Sequence, residues 1–507
     1  MKKSGWSKWV IGAASLLLLS ACGADGGTKA SSSAASSSSE SEVTSGASQQ
    51  EYTDPAELKD QYDIVIVGAG GAGMAAALSA KDAGMNPVIL EKMPIAGGNT
   101  LKSSGGMNAS ETKFQEAQGI EDSNEQFFED TLKGGKGTND QELLHYLVDN
   151  SASAIDWLDS MGITLDNISY SGGASVKRIH RPHDGSAVGR YLVDGLLRNI
   201  HEQEIPLFVN ADVTKINETD GKVTGVNVKI NGEEKEIAGD AVVVTTGGFG
   251  SNKELIEKYR PDLKGYVSTT SEGSTGDGIK MIEELGGATV DMDQIQVHPT
   301  VVQDTGMLIS ETVRGEGAIL VNQQGERFYN ELETRDNVSA AITDLPESYA
   351  YLIFDNALAG RAKQVDYYKE QGVVVEADTI EALAEKIDVD PATLKKTLDT
   401  WNQAVADKAD KDFGRETAMD YDLTEGPFYA IQIAPGIHHT MGGVKINTKT
   451  QVLKEDGTPI TGLYAAGEVT GGIHGQNRIG GNAVADIMVF GRQAGAQSSD
   501  YVKENGK

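Results

Sequence analysis

Cysteine is nearly absent: the 507 residues contain one, Cys22. A disulfide within the chain is excluded, and so is a cysteine-ligated iron–sulfur or zinc centre. Positive charge is scarce too. Against 75 Asp and Glu stand 44 Lys and Arg, a formal charge of -31. So acidic a surface excludes nucleic acid, whose phosphates need cationic neutralisation. It does not adhere to an anionic membrane either; its plain use is solubility. Histidine is limited to eight residues. What is present suits a soluble globular protein, with 39% hydrophobic and 23% charged residues. The length allows a large core and two or more domains. The 60 glycines follow no three-residue period, so their use lies in tight turns and in backbone packed close to a ligand.

The single cysteine has a telling context. Lys2, Lys3 and Lys8 precede an apolar run from Trp9 to Leu19, then Leu19-Ser20-Ala21-Cys22-Gly23. A charged start, a short apolar stretch and small residues form a secretory signal, and the run is too short for a membrane span. Leu-Ser-Ala-Cys resembles the bacterial lipobox, in which the cysteine is lipidated and becomes the mature N-terminus. Residues 1–21 therefore read as a lipoprotein signal peptide. Residues 22–51, Ser-rich and unable to bury apolar surface, read as a flexible tether. The expected location is the extracytoplasmic face of a cell membrane, with attachment through lipid on Cys22.

The folded part begins near Tyr52. Asp63 to Val67 reads as a short apolar strand, Gly71 to Gly84 as an Ala-rich helix, and Pro87 to Glu91 as a second strand, which is a βαβ start on a parallel sheet. Gly225–Ile230 and Ala241–Thr245 are further strand candidates. Residues 378–410 read as helices, one opened by Asp390 as N-cap with Pro391 at the first helical position. Gly462 to Glu468 returns to strand and turn. The fold class is α/β: a discontinuous Rossmann-like dinucleotide domain interrupted by a second domain.

The chemistry starts at Gly68-Ala-Gly70-Gly-Ala-Gly73. This G-x-G-x-x-G follows a strand and opens a helix, and Glu91 ends the next strand 18 residues after Gly73. Glycines let backbone approach a pyrophosphate, whose charge sits at the helix N-terminus, while Glu91 accepts from ribose hydroxyls. Glu91 would repel a 2′-phosphate, which disfavours NADP. Ala96 to Thr100 and Ser103 to Asn108 follow the second strand. Glu468 ends a late strand and can hold a ribitol hydroxyl. Gly480-Gly481-Asn-Ala483-Val484 opens a helix whose N–H groups suit negative charge at a flavin N1–C2=O edge. This second junction, about 400 residues on, points to non-covalent FAD rather than NAD. Expected contacts are Gly68, Gly70, Ala72, Gly73, Glu91, Asn99, Thr100, Gly105, Gly106, Glu468, Ala483 and Val484.

From about Tyr62 onward the chain resembles the flavoprotein part of the flavocytochrome c fumarate reductases, in the succinate dehydrogenase/fumarate reductase flavoprotein family, which includes urocanate reductases. The resemblance is carried by Glu91-Lys-Met-Pro-Ile-Ala-Gly-Gly-Asn-Thr100, Val297-His-Pro-Thr300, Glu311-Thr-Val-Arg-Gly315, Thr334-Arg-Asp336, His438-His-Thr-Met-Gly-Gly443 and His474-Gly-Gln-Asn-Arg-Ile-Gly-Gly-Asn482. It implies an FAD domain in two parts, 52–294 and 438–507, with an α+β capping (clamp) domain at 295–437. It also implies roles. Arg478 and His438 would hold one substrate carboxylate, and His298 and Ser310 the other end, with Glu311, Gly106 and Gly481 nearby. Arg335 would donate a proton to one alkene carbon while reduced FAD delivers hydride to the other. Glu311 and Arg314 would relay that proton, and His439 would touch the flavin, with Val213 and Asp277 as further cofactor contacts that the resemblance implies. His474 reads as structural.

Two departures matter. The sequence has no Cys-x-x-Cys-His motif, so haem is not expected in this chain, nor an iron–sulfur cluster or metal. Electrons would come from an external donor: a membrane or surface flavoprotein or a quinol-linked dehydrogenase. Where the fumarate enzymes carry bulky Met, this chain carries Ser171 and Leu308. Ser171 leaves room for urocanate or another larger enoate, while His298 and Glu311 point to fumarate. A non-catalytic flavin carrier would need no carboxylate clamp. A dehydrogenase running the reverse reaction stays open.

Overall fold

The computed structural model describes residues 51–506. The expected signal peptide, Cys22 and the tether as far as residue 50 lie outside the described residues. Among the described residues no helix is long and apolar enough to cross a membrane.

Strand β1 (Gln61–Val67) carries Ile64, Val65 and Ile66, all fully buried. Burial on both faces is what a central parallel strand requires. β2 (Pro87–Leu90) pairs parallel to it on one side, and Leu207–Phe208 continues beyond β2. On the other side lies Glu233–Val244, then Pro459–Ala465, both parallel. In register, Val67 faces Leu90 and Val244, and Val244 faces Ala465. Four strand ends from across the sequence thus form one row. In open α/β sheets the ligand crevice lies outside such a row.

The expected strands at Gly225–Ile230 and Ala241–Thr245 are longer than the apolar pattern suggested. Lys222–Ile230 and the first half of Glu233–Val244 form an antiparallel extension with Ala211–Thr219. Their outer residues are polar because one face meets water.

Helix α1 (Gly71–Asp82) covers the sheet, and the last helix, α2 (Asn482–Asn505), packs on it. A Cβ at Gly491 would come within 2.7 Å of the Ala72 carbonyl, and one at Gly495 within 2.2 Å of the Ala76 carbonyl. Small residues on both helices bring the backbones together, and this seam ties the end of the chain to its beginning.

A second hydrophobic cluster runs from Ile309 to Ile433 around Trp401 and Phe354. Two long strands lead into it, Ile295–Val302 and Phe428–Thr440, antiparallel to each other. Ile295 and Ile437 pack in the first core and Ile433 in the second, so this pair crosses from one core to the other. Ala350–Asp355, Ile319–Val321 and Val375–Ala377 complete the sheet. Helices Ile380–Lys386 and Pro391–Asp407 cover it, and Asp390 caps the second by accepting from Thr393 N at 2.8 Å. The whole is an α/β dinucleotide fold interrupted by a mixed α+β lobe.

Candidate active site

One cavity of about 760 Å³ runs from the row of strand ends to the inserted lobe. Gly68, Gly70, Ala72 and Glu91 line the first end. Gly68 has φ +106°, and a Cβ there would meet the Thr245 carbonyl at 2.6 Å. At Gly70 a Cβ would have nothing nearer than 4.0 Å, so that bare backbone can take a close ligand. Gly73 does not line the cavity. A Cβ there would lie 2.0 Å from the Gly68 carbonyl, so this glycine serves helix–strand packing.

Glu91 sits where expected, with Oε2 accepting from Ala69 N and Oε1 from Met93 N, both at 2.8 Å. Burial pushes its carboxyl up, and these amides pull it back only in part. Val213 and Asp277 line the same end, Asp277 in an ion pair with Lys92, which the sequence reading missed. Thr100 Oγ1 accepts from Gly71 N at 3.0 Å. Asn99 bridges outward, accepting from Ser271 N at 2.6 Å and donating to Glu468 at 2.7 Å. Gly105, Gly106, Gly481, Ala483 and Val484 line the middle. Gly481, at φ +91°, caps α2 against Asn108. An elongated cavity with a bare glycine turn, an acid at the next strand end and a helix N-terminus fits a flavin dinucleotide.

Beyond it the cavity is cationic. Arg335 opens the helix Arg335–Thr343 behind Thr334. Its Nε donates to Glu311 Oε2 at 2.8 Å and its NH1 to Gln296 Oε1 at 3.1 Å. The same Gln296 oxygen accepts from Arg478 NH2 at 3.0 Å. Gln296 therefore yokes two guanidinium groups, while its own amide is held by Asn477 Oδ1 and the Arg478 carbonyl, each at 2.7 Å. Arg478 Nε has no partner. Burial and the Arg335 charge pull the Arg478 guanidinium down to about 9. Glu311 also accepts from Gly172 N. Burial pushes its carboxyl up, but Arg335 and Arg314 outweigh that and hold it below its ordinary value.

Arg314 is fully buried and does not line the cavity. Its NH1 donates to the Glu331 carbonyl while Nε and NH2 lack partners, and burial brings it down to about 10.

His298 Nδ1 accepts from Thr300 N at 3.3 Å, so the neutral ring carries its proton on Nε2, which has no partner. Burial, with Arg335 and His438, keeps it well below the ordinary histidine value. His438 stands edge-on at 5.2 Å between centroids, with Nδ1 2.7 Å from Thr269 Oγ1. His439 Nδ1 is 3.5 Å from Glu468 Oε1. His474 does not line the cavity and pairs with Asp486 at 3.2 Å. Ser310 lines it, but its hydroxyl donates to the Ser104 carbonyl at 3.2 Å and accepts from Thr312 N at 3.3 Å. Ser171 and Leu308 line it as well.

The residues that reading missed are Gln296, Gln364, Tyr368 and Lys92. Gln296 left a signal, a polar side chain in the apolar run Ile295 to Val297. Tyr368 left none. Among the described residues no cluster of His, Cys, Asp and Glu could hold a metal ion.

Fold and cavity together define a dinucleotide-binding oxidoreductase scaffold with a cationic pocket beside the cofactor end. Residues 63–484 match the FAD binding domain family, and the chain belongs to it. It is 53% identical over 440 residues to an NADH:fumarate oxidoreductase of Klebsiella pneumoniae, matching 86% of this chain and 48% of that one, so it spans about half the length of that relative. It is 43% identical over 469 residues to a cytochrome-type fumarate reductase of Shewanella frigidimarina, covering 92% of this chain and 82% of the other. The solved open conformation of a flavocytochrome c3 fumarate reductase superposes with a TM-score of 0.73 and 46% identity, over 88% of this chain and 79% of that one.

Proposed function

We propose that the protein is an FAD-dependent reductase of the C=C bond of an unsaturated carboxylate, fumarate first, giving succinate. The observation that carries the reading is that Arg335, Arg478 and Glu311 line a cavity continuous with the Glu91 end, with Glu311 paired to Arg335 and both guanidinium groups yoked to Gln296, which is buried outside the cavity lining. FAD, once reduced, supplies the hydride. The chain supplies the rest. Arg478 offers an unpaired Nε–H for a carboxylate, with His438 and the free Nε2–H of His298 as further donors. Arg335 holds the proton for the second alkene carbon. Glu311, which accepts from Arg335 Nε, can replace that proton only after taking one up itself, by way of Arg314 from solvent. One hydride and one proton thus saturate the bond. His439, Gly106 and Gly481 line the cofactor side. Residues 295–437 would close over the substrate as a cap.

A larger enoate such as urocanate is the second reading. Ser171 favours it: 7% exposed, lining the cavity, its Oγ without a partner. The test is oxidation of a reduced dye by the FAD-loaded protein with fumarate, urocanate, methacrylate and cinnamate. No oxidation with any of them refutes the enoate reading.

The N-terminal pattern supports lipidation at Cys22 and an extracytoplasmic enzyme fed by an external electron donor. Cys22→Ser should release the protein from membranes; if it stays bound, the anchor is wrong.

A further inference from the structure

Resting on the enoate-reductase reading, we propose that Tyr368 is the specificity-determining donor for the far end of the substrate, and that this end carries a carboxylate. Tyr368 lies on the helix Gln364–Glu370 of the inserted lobe and lines the cavity together with Ser310 and His298.

The argument follows the protons. Ser310 is the hydroxyl in the position that would hold the distal group, but its one proton goes to the Ser104 carbonyl. Its remaining lone pair repels a carboxylate rather than binding one. Tyr368 is the reverse. Its oxygen accepts from Ser310 N at 2.9 Å, and among the described residues its own proton has no acceptor. A buried hydroxyl left without an acceptor is costly, so a ligand oxygen is the natural partner. Burial also raises the phenol above its ordinary value, which keeps the proton on.

The phenol is also fixed in place. Ile309 N donates to the Thr300 carbonyl at 2.9 Å, and Thr300 Oγ1 donates to the Ile309 carbonyl at 2.8 Å. Thr300 N in turn donates to His298. Tyr368 to Ser310, the adjoining Ile309 to Thr300, and Thr300 to His298 are each hydrogen-bonded, so one connected segment carries two free donors, Tyr368 O–H and His298 Nε2–H. Two neutral donors lining one cavity supply a hydrogen bond to each oxygen of a carboxylate. They do not match a methyl end or an amine.

The experiment compares fumarate with acrylate, which lacks the distal carboxylate, in FAD-loaded wild type and Tyr368→Phe. The phenyl ring is kept, so packing is preserved. kcat/KM for fumarate should fall about 10- to 100-fold, mostly through KM, as for loss of a hydrogen bond to a charged group. Acrylate turnover should fall far less, because only the Ser310 N–H loses its acceptor and no substrate contact is removed. Loosening of Ser310 and Glu311 would lower both substrates alike, and an equal loss overturns the proposal. Ser310→Ala provides the control: a larger loss of the fumarate preference there than in Tyr368→Phe would assign the distal contact to Ser310 instead. Wild type inactive with both substrates would overturn the enoate reading, and this inference with it.

Discussion

Two buried arginine clusters lie a few residues apart, and they are built in opposite ways. In the inserted lobe Arg327 and Arg415 both lie against Trp401, with guanidinium carbons 4.6 and 4.7 Å from the ring centroid. Arg327 binds Glu331 and Asp410. Arg415 donates to Glu331 and to the carbonyls of Arg314, Thr417, Ala318 and Ala418. Every guanidinium nitrogen there has a partner. Around the cavity, Arg478 Nε and Arg314 Nε and NH2 have none. Burying an unpaired donor costs free energy. Arg478, which lines the cavity, keeps that donor for something that binds, whereas Arg314 does not reach the cavity. Arg314 joins the two: its carbonyl is held by Arg415 while its side chain faces the Glu311 charge.

The largest effect expected is at Arg335. Arg335→Lys should lower turnover by about 10²- to 10⁴-fold, the range for losing a positioned acid. Binding of succinate, read from the flavin spectrum, should persist. Loss of binding without an independent loss of turnover would make Arg335 a clamp only. Arg415→Met comes next, with about 3–5 kcal/mol lost in chemical denaturation because Glu331 is left as an under-compensated buried charge. A stable but inactive Arg415→Met protein would erase the contrast between the clusters. Gln296→Met should cost about 10- to 100-fold in kcat/KM, since it removes the acceptor shared by two charged donors, and should lower stability by less than Arg415→Met. If the stability loss matches that of Arg415→Met, Gln296 belongs with the structural cluster.

The smallest effect is the shape of the acid limb. His298, His438 and His439 are held well below their ordinary value, chiefly by burial. The unfolded chain therefore takes up protons that these rings refuse, and stability should decline as pH drops below about 6.5. Burial pushes Glu331 up, but Arg327 and Arg415 outweigh it and hold the carboxyl below its ordinary value. Its contribution is present above about pH 4.3 and is lost as pH falls through the folded value. Melting curves against pH should show both steps, and Glu331→Gln should shrink the lower one, to which Glu311 also contributes, and leave the upper one in place.

The cofactor end was readable because its parts are contiguous. Gly68, Gly70 and Glu91 lie within one βαβ unit, where local turn chemistry and strand length set their spacing. Arg335, Arg478 and Glu311 were readable as motifs, but only the family resemblance, not their spacing, brought them to one site. Gln296, Tyr368 and the commitment of the Ser310 proton to Ser104 depend on long-range packing that no local pattern encodes. The helices in 378–410 were legible, the second from Asp390 as cap and Pro391 at its first position. The antiparallel extension at residues 211–240 did not, because an exposed sheet face carries no apolar signal.

Chain chemistry alone was enough to specify a dinucleotide turn, an acid at the next strand end, a return to the same sheet near residue 465, and an excess of Arg and His in a chain short of both. Those are properties of residue type and short spacing, which backbone sterics and burial convert directly into local structure. Which buried donors are paired and which are left free was settled by packing between two cores. It depends on where Ile295–Val302 and Phe428–Thr440 cross from one to the other, and on side chains up to 182 positions apart reaching the same oxygen of Gln296.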